Sequence, residues 1–118
     1  MMTFDYILES EVDKYSYIYV PKALMLDDVF SELSLQAKIT YGLMLDRLSL
    51  AGKNNWQDDE GRVYVIYPVS EIMEDLNLSK TTVLECMDEL EKMGLIERVK
   101  RGRGLPNIVY VKNYRECA

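Results

Sequence analysis

Two stretches of this chain carry side chains suited to a polyanion: Ser79-Lys80-Thr81-Thr82, and the run containing Arg98, Lys100, Arg101 and Arg103. The first sets hydroxyls and an ammonium in consecutive positions, groups that hydrogen-bond base edges or phosphate oxygens. The second gathers its cations around Gly102 and Gly104. Glycines there let the backbone approach a phosphate closely, and arginines can follow the backbone or enter a minor groove.

Catalytic chemistry has fewer candidates. Histidine is absent, which removes the usual general base, the commonest zinc ligand and every Ser-His or Cys-His nucleophile pair. The densest carboxylate cluster is Asp58-Asp59-Glu60, followed by Gly61. It lacks the alternating ligand positions of a calcium loop and reads as a charged surface turn. Cys86 and Cys117 lie far apart and match no metal-binding spacing. Both are expected as reduced thiols, Cys86 on a helix and Cys117 in a tail. No catalytic residue, metal or cofactor is expected, so an enzyme is the weaker hypothesis.

The net charge of −6 sits awkwardly with a polyanionic ligand. Its distribution resolves part of the conflict: Met1–Ser34 holds nine charges netting −5, Leu35–Gly61 nets −1 and Arg62–Ala118 nets zero. A basic finger on an acidic body can still bind nucleic acid, because a Debye length of about 8 Å confines the field to the contacting surface. The acidic total also keeps open a rival reading, a protein-interaction module that does not touch DNA.

With 118 residues, 48% of them apolar and 29% charged, the chain has the size and composition of one globular domain. No apolar run approaches the roughly 20 residues needed to span a bilayer. Met1–Ser10 lacks the basic and apolar regions of a signal peptide, so a cytoplasmic location with no membrane partner is expected. Residues 1–14 read as an acidic N-terminal segment, 15–113 as the domain and 114–118 as a tail.

Tyr15–Val20 alternates with period two and rich aromatic content, which predicts a strand ended by Pro21. This strand is expected to join core and sheet rather than form a stacking platform for single strands. Lys22–Leu26 follows as a short helical turn, with Asp27, Asp28 and Glu32 in a polar connector. Ser34 suits the N-cap of a helix running to about Ala51. On that helix Lys38, Gly42, Asp46 and Ser49 form a narrow polar stripe, and Gln36, Thr40 and Arg47 form a second one. Leu35, Ile39, Leu43 and Leu50 lie on one side, and Ala37, Tyr41, Met44, Leu45 and Leu48 on the other, so neighbours are expected on both. Gly52 and Lys53-Asn54-Asn55 should end the helix.

A turn at Trp56–Gly61 leads into a strand over Arg62–Tyr67, and Pro68 fits a helix start. Val69–Leu76 has helical spacing. Asn77-Leu78-Ser79 is a three-residue connector, and Ser79 caps a further helix reaching about Met93. Its core face is Val83, Met87 and Leu90, and Gly94 should adopt the left-handed conformation. Leu95–Lys100 and Ile108–Lys112 are strands flanking a hairpin loop with two glycines and a proline. Met25, Met44, Met73, Met87 and Met93 read as core filler.

Helix, strand, short helix, tight turn, longer helix and basic hairpin in that order describe an α+β winged helix-turn-helix: a three-helix core, a small antiparallel sheet and a basic wing. Its second helix enters the major groove N-terminus first. Each element has a plainer alternative: Ser79 and Thr82 as caps alone, and Arg98–Arg103 as a solvated hairpin tip.

The chain also resembles the N-terminal domain of the plasmid replication initiator A proteins. The residues carrying the resemblance are Val20-Pro21-Lys22-Ala23-Leu24, Leu33-Ser34 with Ala37-Lys38, Tyr41-Gly42-Leu43 and Leu45-Asp46-Arg47. They continue through Lys53-Asn54-Asn55-Trp56, Asp58–Tyr64, Gly94-Leu95-Ile96-Glu97 and Pro106–Val111. The match runs from about Tyr15 to Asn113. The Asn-Asn-Trp through Gly-Arg-Val-Tyr stretch is specific to the family, whereas Gly-Leu-Ile-Glu occurs in winged helices generally. The family departs in commonly having a Thr-type cap where Pro68 stands.

The resemblance implies a winged-helix homodimer that binds repeats at a replication origin. Family initiators carry a further C-terminal domain that helps recruit host replication proteins, and none follows Ala118 here. Repeat binding without autonomous initiation is therefore the expectation. The DNA-binding residues are expected to be Ser79, Lys80, Thr81 and Thr82 in the major groove, with Arg98, Lys100, Arg101 and Arg103 on phosphates or in the minor groove. A transcriptional regulator on the same fold is the nearest rival.

Overall fold

Local chemistry fixes the helix ends in the computed structural model, which describes residues 2–115. The short helix Lys22–Leu26 is α1; the Ser34 hydroxyl accepts from the Ala37 amide at 3.1 Å and caps the longer α2, Leu35–Arg47. A 3-10 turn at Leu48–Leu50 carries the chain into α3, Ala51–Asn54, where Asn55 adopts the left-handed conformation with φ 55° and ends it. The helical path thus continues three residues beyond Ala51, and Gly52 lies inside α3 rather than ending it. Helix α4 spans Val69–Leu76 with Pro68 as its N-cap, and Asn77 is left-handed at φ 54°. Helix α5 runs Lys80–Met93, capped by Ser79, and Gly94 ends it at φ 92°. In that conformation the Leu95 amide reaches back to the Leu90 carbonyl at 2.9 Å, closing the helix end.

Among the described residues three short strands form one antiparallel sheet: β1 (Tyr64–Val65), β2 (Ile96–Val99) and β3 (Ile108–Val111), in the order β1-β3-β2. Val99 pairs with Ile108 and Ile96 with Val111, so β2 and β3 make a hairpin around the loop at 100–107. The strands are shorter than the sequence suggested. The expected Arg62–Tyr67 strand narrows to Tyr64–Val65, paired to Tyr110 and Val109, while Val63 bridges to Gln57 across the Asp58–Arg62 turn.

The core lies where α2, α4 and α5 meet the inner face of the sheet. Leu24, Tyr41, Met44, Ile72, Val83, Leu90 and Val65 are fully buried there. Tyr41 donates its hydroxyl to the Lys112 carbonyl at 2.6 Å, tying α2 to the end of β3. Burial, with Tyr114 nearby, pushes the Tyr41 phenol up to about 12. A tight helix pair (α4, α5) followed by a β-hairpin is the winged helix-turn-helix architecture.

Four expectations are corrected. Tyr15–Val20 is extended but pairs with no strand among the described residues, and Tyr15, Tyr17, Ile18 and Tyr19 are exposed. The segment is an extended arm outside the sheet, and its end, Tyr19–Val20, meets α2. The seat of the arm is Gly42: a β-carbon there would stand 3.0 Å from Val20 Cγ2 and 3.2 Å from the Tyr19 carbonyl oxygen. The stripe read as polar on α2 is therefore partly a contact surface, and Lys38 and Gly42 are buried. Conversely, Leu35 and Ile39 on α2 are left uncovered among the described residues, 61% and 40% exposed, although Leu43 on the same side packs partly against the core. Met25 is also exposed rather than core filler, whereas Met44 and Met87 are buried and Met73 and Met93 pack partly against the core. Cys86 is a buried free thiol; Cys117 lies outside the described residues.

Candidate nucleic-acid interface

The first turn of α5 forms around Ser79. Its hydroxyl accepts from the Thr82 amide at 3.2 Å and donates to the Thr82 hydroxyl at 3.0 Å. Ser79 and Thr82 are therefore engaged in capping, as one alternative allowed, and Thr82 is half-buried. Lys80 and Thr81 are exposed beside them. This turn presents free amides, the positive end of the helix dipole, one ammonium and one unengaged hydroxyl.

The loop after β2 supplies the remaining cations. Lys100 and Arg103 are exposed and form no ion pair among the described residues. Arg101 donates Nε to the Pro106 carbonyl at 3.0 Å, bracing the loop across its width. Gly102 and Gly104 both have φ 81°, a conformation that side chains disfavour. The glycines thus shape the loop as well as leaving it open.

Arg98 is placed differently from its neighbours. It sits within β2, and its guanidinium lies 2.6 Å from Asp88 Oδ1 and 2.9 Å from Glu91 Oε1 on α5. Its main-chain amide also donates to Glu91 Oε2 at 2.8 Å. The hydrogen bonds from the Arg98 backbone, then from its side chain, hold the Glu91 carboxyl below the usual glutamate range. Arg98 anchors the wing to α5 and stands apart from the exposed cations of the loop. Sequence proximity alone grouped it with them. The signal that separates it is strand register, since Arg98 pairs with Val109 inside the hairpin ladder.

Two further polar clusters hold the frame. Asp58 accepts from the Arg62 side chain at 2.8 Å, the Tyr110 hydroxyl at 2.9 Å, and the amides of Glu60 and Arg62 at 3.0 and 2.9 Å. Partial desolvation opposes its charge, but these hydrogen bonds prevail and hold the carboxyl at about 2. The acidic turn is thus a structural clasp on the β1–β3 edge. Arg47, at the end of α2, stacks 3.7 Å from the Tyr67 ring centroid and pairs with Glu71 at 2.8 Å, while the Tyr67 hydroxyl donates to Asp75. These contacts fix α4 against α2. Among the described residues no group of histidine, cysteine and carboxylate side chains could hold a metal ion, and no helix is long and apolar enough to cross a membrane.

Residues 16–118 match the family described as replication initiator protein A (RepA), N-terminus. The chain belongs to that family. Solved structures agree with this initiator fold. A structure described as the N-terminal domain of a DNA binding protein superposes with a TM-score of 0.79 at 30% identity, covering 98% of this chain and 88% of that one. A Rep–DNA complex gives 0.79 at 31% identity, over 97% and 88%. An MDR initiator gives 0.75 at 30%, over 96% and 89%. A 41 kDa protein of Lactobacillus helveticus is 32% identical over 82 residues, which is 70% of this chain and 23% of that protein. The initiator domain described here therefore spans less than a quarter of the length of that relative.

Proposed function

We propose that this initiator domain binds double-stranded DNA at repeats of a replication origin, with the first turn of α5 in the major groove and the hairpin wing on the flanking backbone. The observation that carries this reading is the joint placement of the cations. The exposed Lys80 and Thr81 open the second helix of the helix-turn-helix, and the exposed Lys100 and Arg103 crown the hairpin that follows it. The similar chain solved in a Rep–DNA complex supports it. Within the set named from sequence, Lys80, Thr81, Lys100, Arg101 and Arg103 contact the duplex, Ser79 and Thr82 shape the helix end, and Arg98 orients the wing.

The reading includes a homodimer. Its support is the unpartnered apolar surface made by the Tyr15–Val20 arm and the Leu35 and Ile39 side of α2. The domain runs over residues 15–113 and acts in the cytoplasm; contact with host replication proteins requires a further C-terminal domain. Non-enzymatic binding is the whole of its role.

Fluorescence anisotropy with a labelled duplex carrying candidate origin repeats, titrated in excess unrelated competitor, tests the reading. Retained binding is expected. Complete displacement by that competitor would reduce the domain to a non-specific binder, and no binding at low salt without competitor would favour a protein-interaction module.

A further inference from the structure

We infer that Glu85 is a specificity-determining residue of this interface, reading an amino donor of a base, cytosine above all, in the major groove. The inference rests on the DNA-binding reading above. Helix α5 buries Val83, Cys86, Met87 and Leu90, so its outward stripe is Thr81, Leu84, Glu85 and Asp88. The helix carries several carboxylates, and all but one are occupied. Asp88 and Glu91 are held by Arg98 on the wing side, at 2.6 and 2.9 Å. Glu89 is held on the α2 side, accepting from the Ser34 amide at 2.7 Å and its hydroxyl at 2.8 Å. Glu85 is exposed between these two sides and has no ion pair or side-chain hydrogen bond among the described residues. It lies one turn beyond Thr81, on the part of the helix that follows the N-terminus into the groove.

A bare carboxylate facing a duplex is repelled by phosphates and by the acceptor edges of guanine and thymine. It is stabilised only where the groove offers a donor, and the major-groove donors are the amino groups of cytosine and adenine. A carboxylate accepts one such bond well and has nothing to offer adenine N7, which favours cytosine. Glu85 therefore weakens binding to most sequences and spares those with an amino group at one position. This explains how an acidic domain discriminates: it keeps its cations at the helix entry and wing, and uses one acid to reject.

The test is duplex selection from a randomised library by the wild-type chain, Glu85→Gln and Glu85→Ala, followed by affinities for the selected and a random duplex. Glutamine can pair with both N6 and N7 of adenine, so one position should turn from cytosine to adenine in Glu85→Gln and lose its preference in Glu85→Ala. Discrimination at that position should fall about tenfold, and random-duplex affinity should rise several-fold as the repulsion is removed. Unchanged preferences with binding intact, or a uniform change at every position, overturn the role of Glu85 and leave the DNA-binding reading standing. Failure of all chains to bind any duplex at low salt overturns both.

Discussion

Glu91 accepts three hydrogen bonds from Arg98, one from its main-chain amide and two from its guanidinium, so the root of the wing is tied to the helix proposed to read DNA. The two elements that would meet the duplex are therefore tied by Arg98, chiefly through Glu91, with Asp88 as a second partner of the guanidinium. Replacing Glu91 by alanine should lower stability by about 1 kcal/mol, since charge-assisted hydrogen bonds contribute about 1.5–3 kcal/mol and partial exposure reduces that. Chemical denaturation measures it. Affinity for selected and random duplexes should fall together, because the wing loses its orientation while the base-reading turn is untouched.

Acid should expose the Asp58 clasp. Its carboxyl is held at about 2 against an ordinary value of 3.8, so the folded state favours the charged form. The stabilisation is complete above about pH 4 and is lost as pH falls through 2. Asp58→Asn should be less stable than wild type at neutral pH, with the gap closing over that window. Denaturation midpoints at pH 7, 4 and 2.5 check this, and a constant gap would contradict it.

Gly42 should change the sign of its response with the arm. In the full chain an alanine meets Val20 and the Tyr19 carbonyl, so Gly42→Ala should loosen the arm and speed tryptic cleavage at Lys14. In a chain lacking residues up to Val20, the same substitution should stabilise by about 1 kcal/mol, the ordinary gain of alanine over glycine inside a helix. Paired proteolysis and thermal melts of the two backgrounds measure it.

The sequence made the helix-turn-helix and hairpin legible because their punctuation is local. Ser34 and Ser79 cap, Asn77 and Gly94 turn left-handed, and Val69–Leu76 has the bounds its periodicity gave. The arm misled for a physical reason: period-two aromatics mark any extended segment that lies on a surface, and pairing depends on partners elsewhere in the chain. Gly42 and Lys38 looked like a solvent stripe because polarity on a helical wheel does not reveal which neighbour covers it. Arg98 was grouped with the wing cations because the acids that engage it, Asp88 and Glu91, lie on another element. The same long-range pairing hid Glu85, which stands out only once its neighbours are seen to be occupied.

Whether the hairpin wing lies on phosphate is decided by the salt dependence of affinity. Wild type and Arg103→Ala would be titrated with salt against one selected and one random duplex. Removing one phosphate contact should reduce the salt slope by about one unit on both duplexes, with the ratio of the two affinities preserved. A slope identical to wild type on both would contradict the account, because the wing would then not touch the backbone.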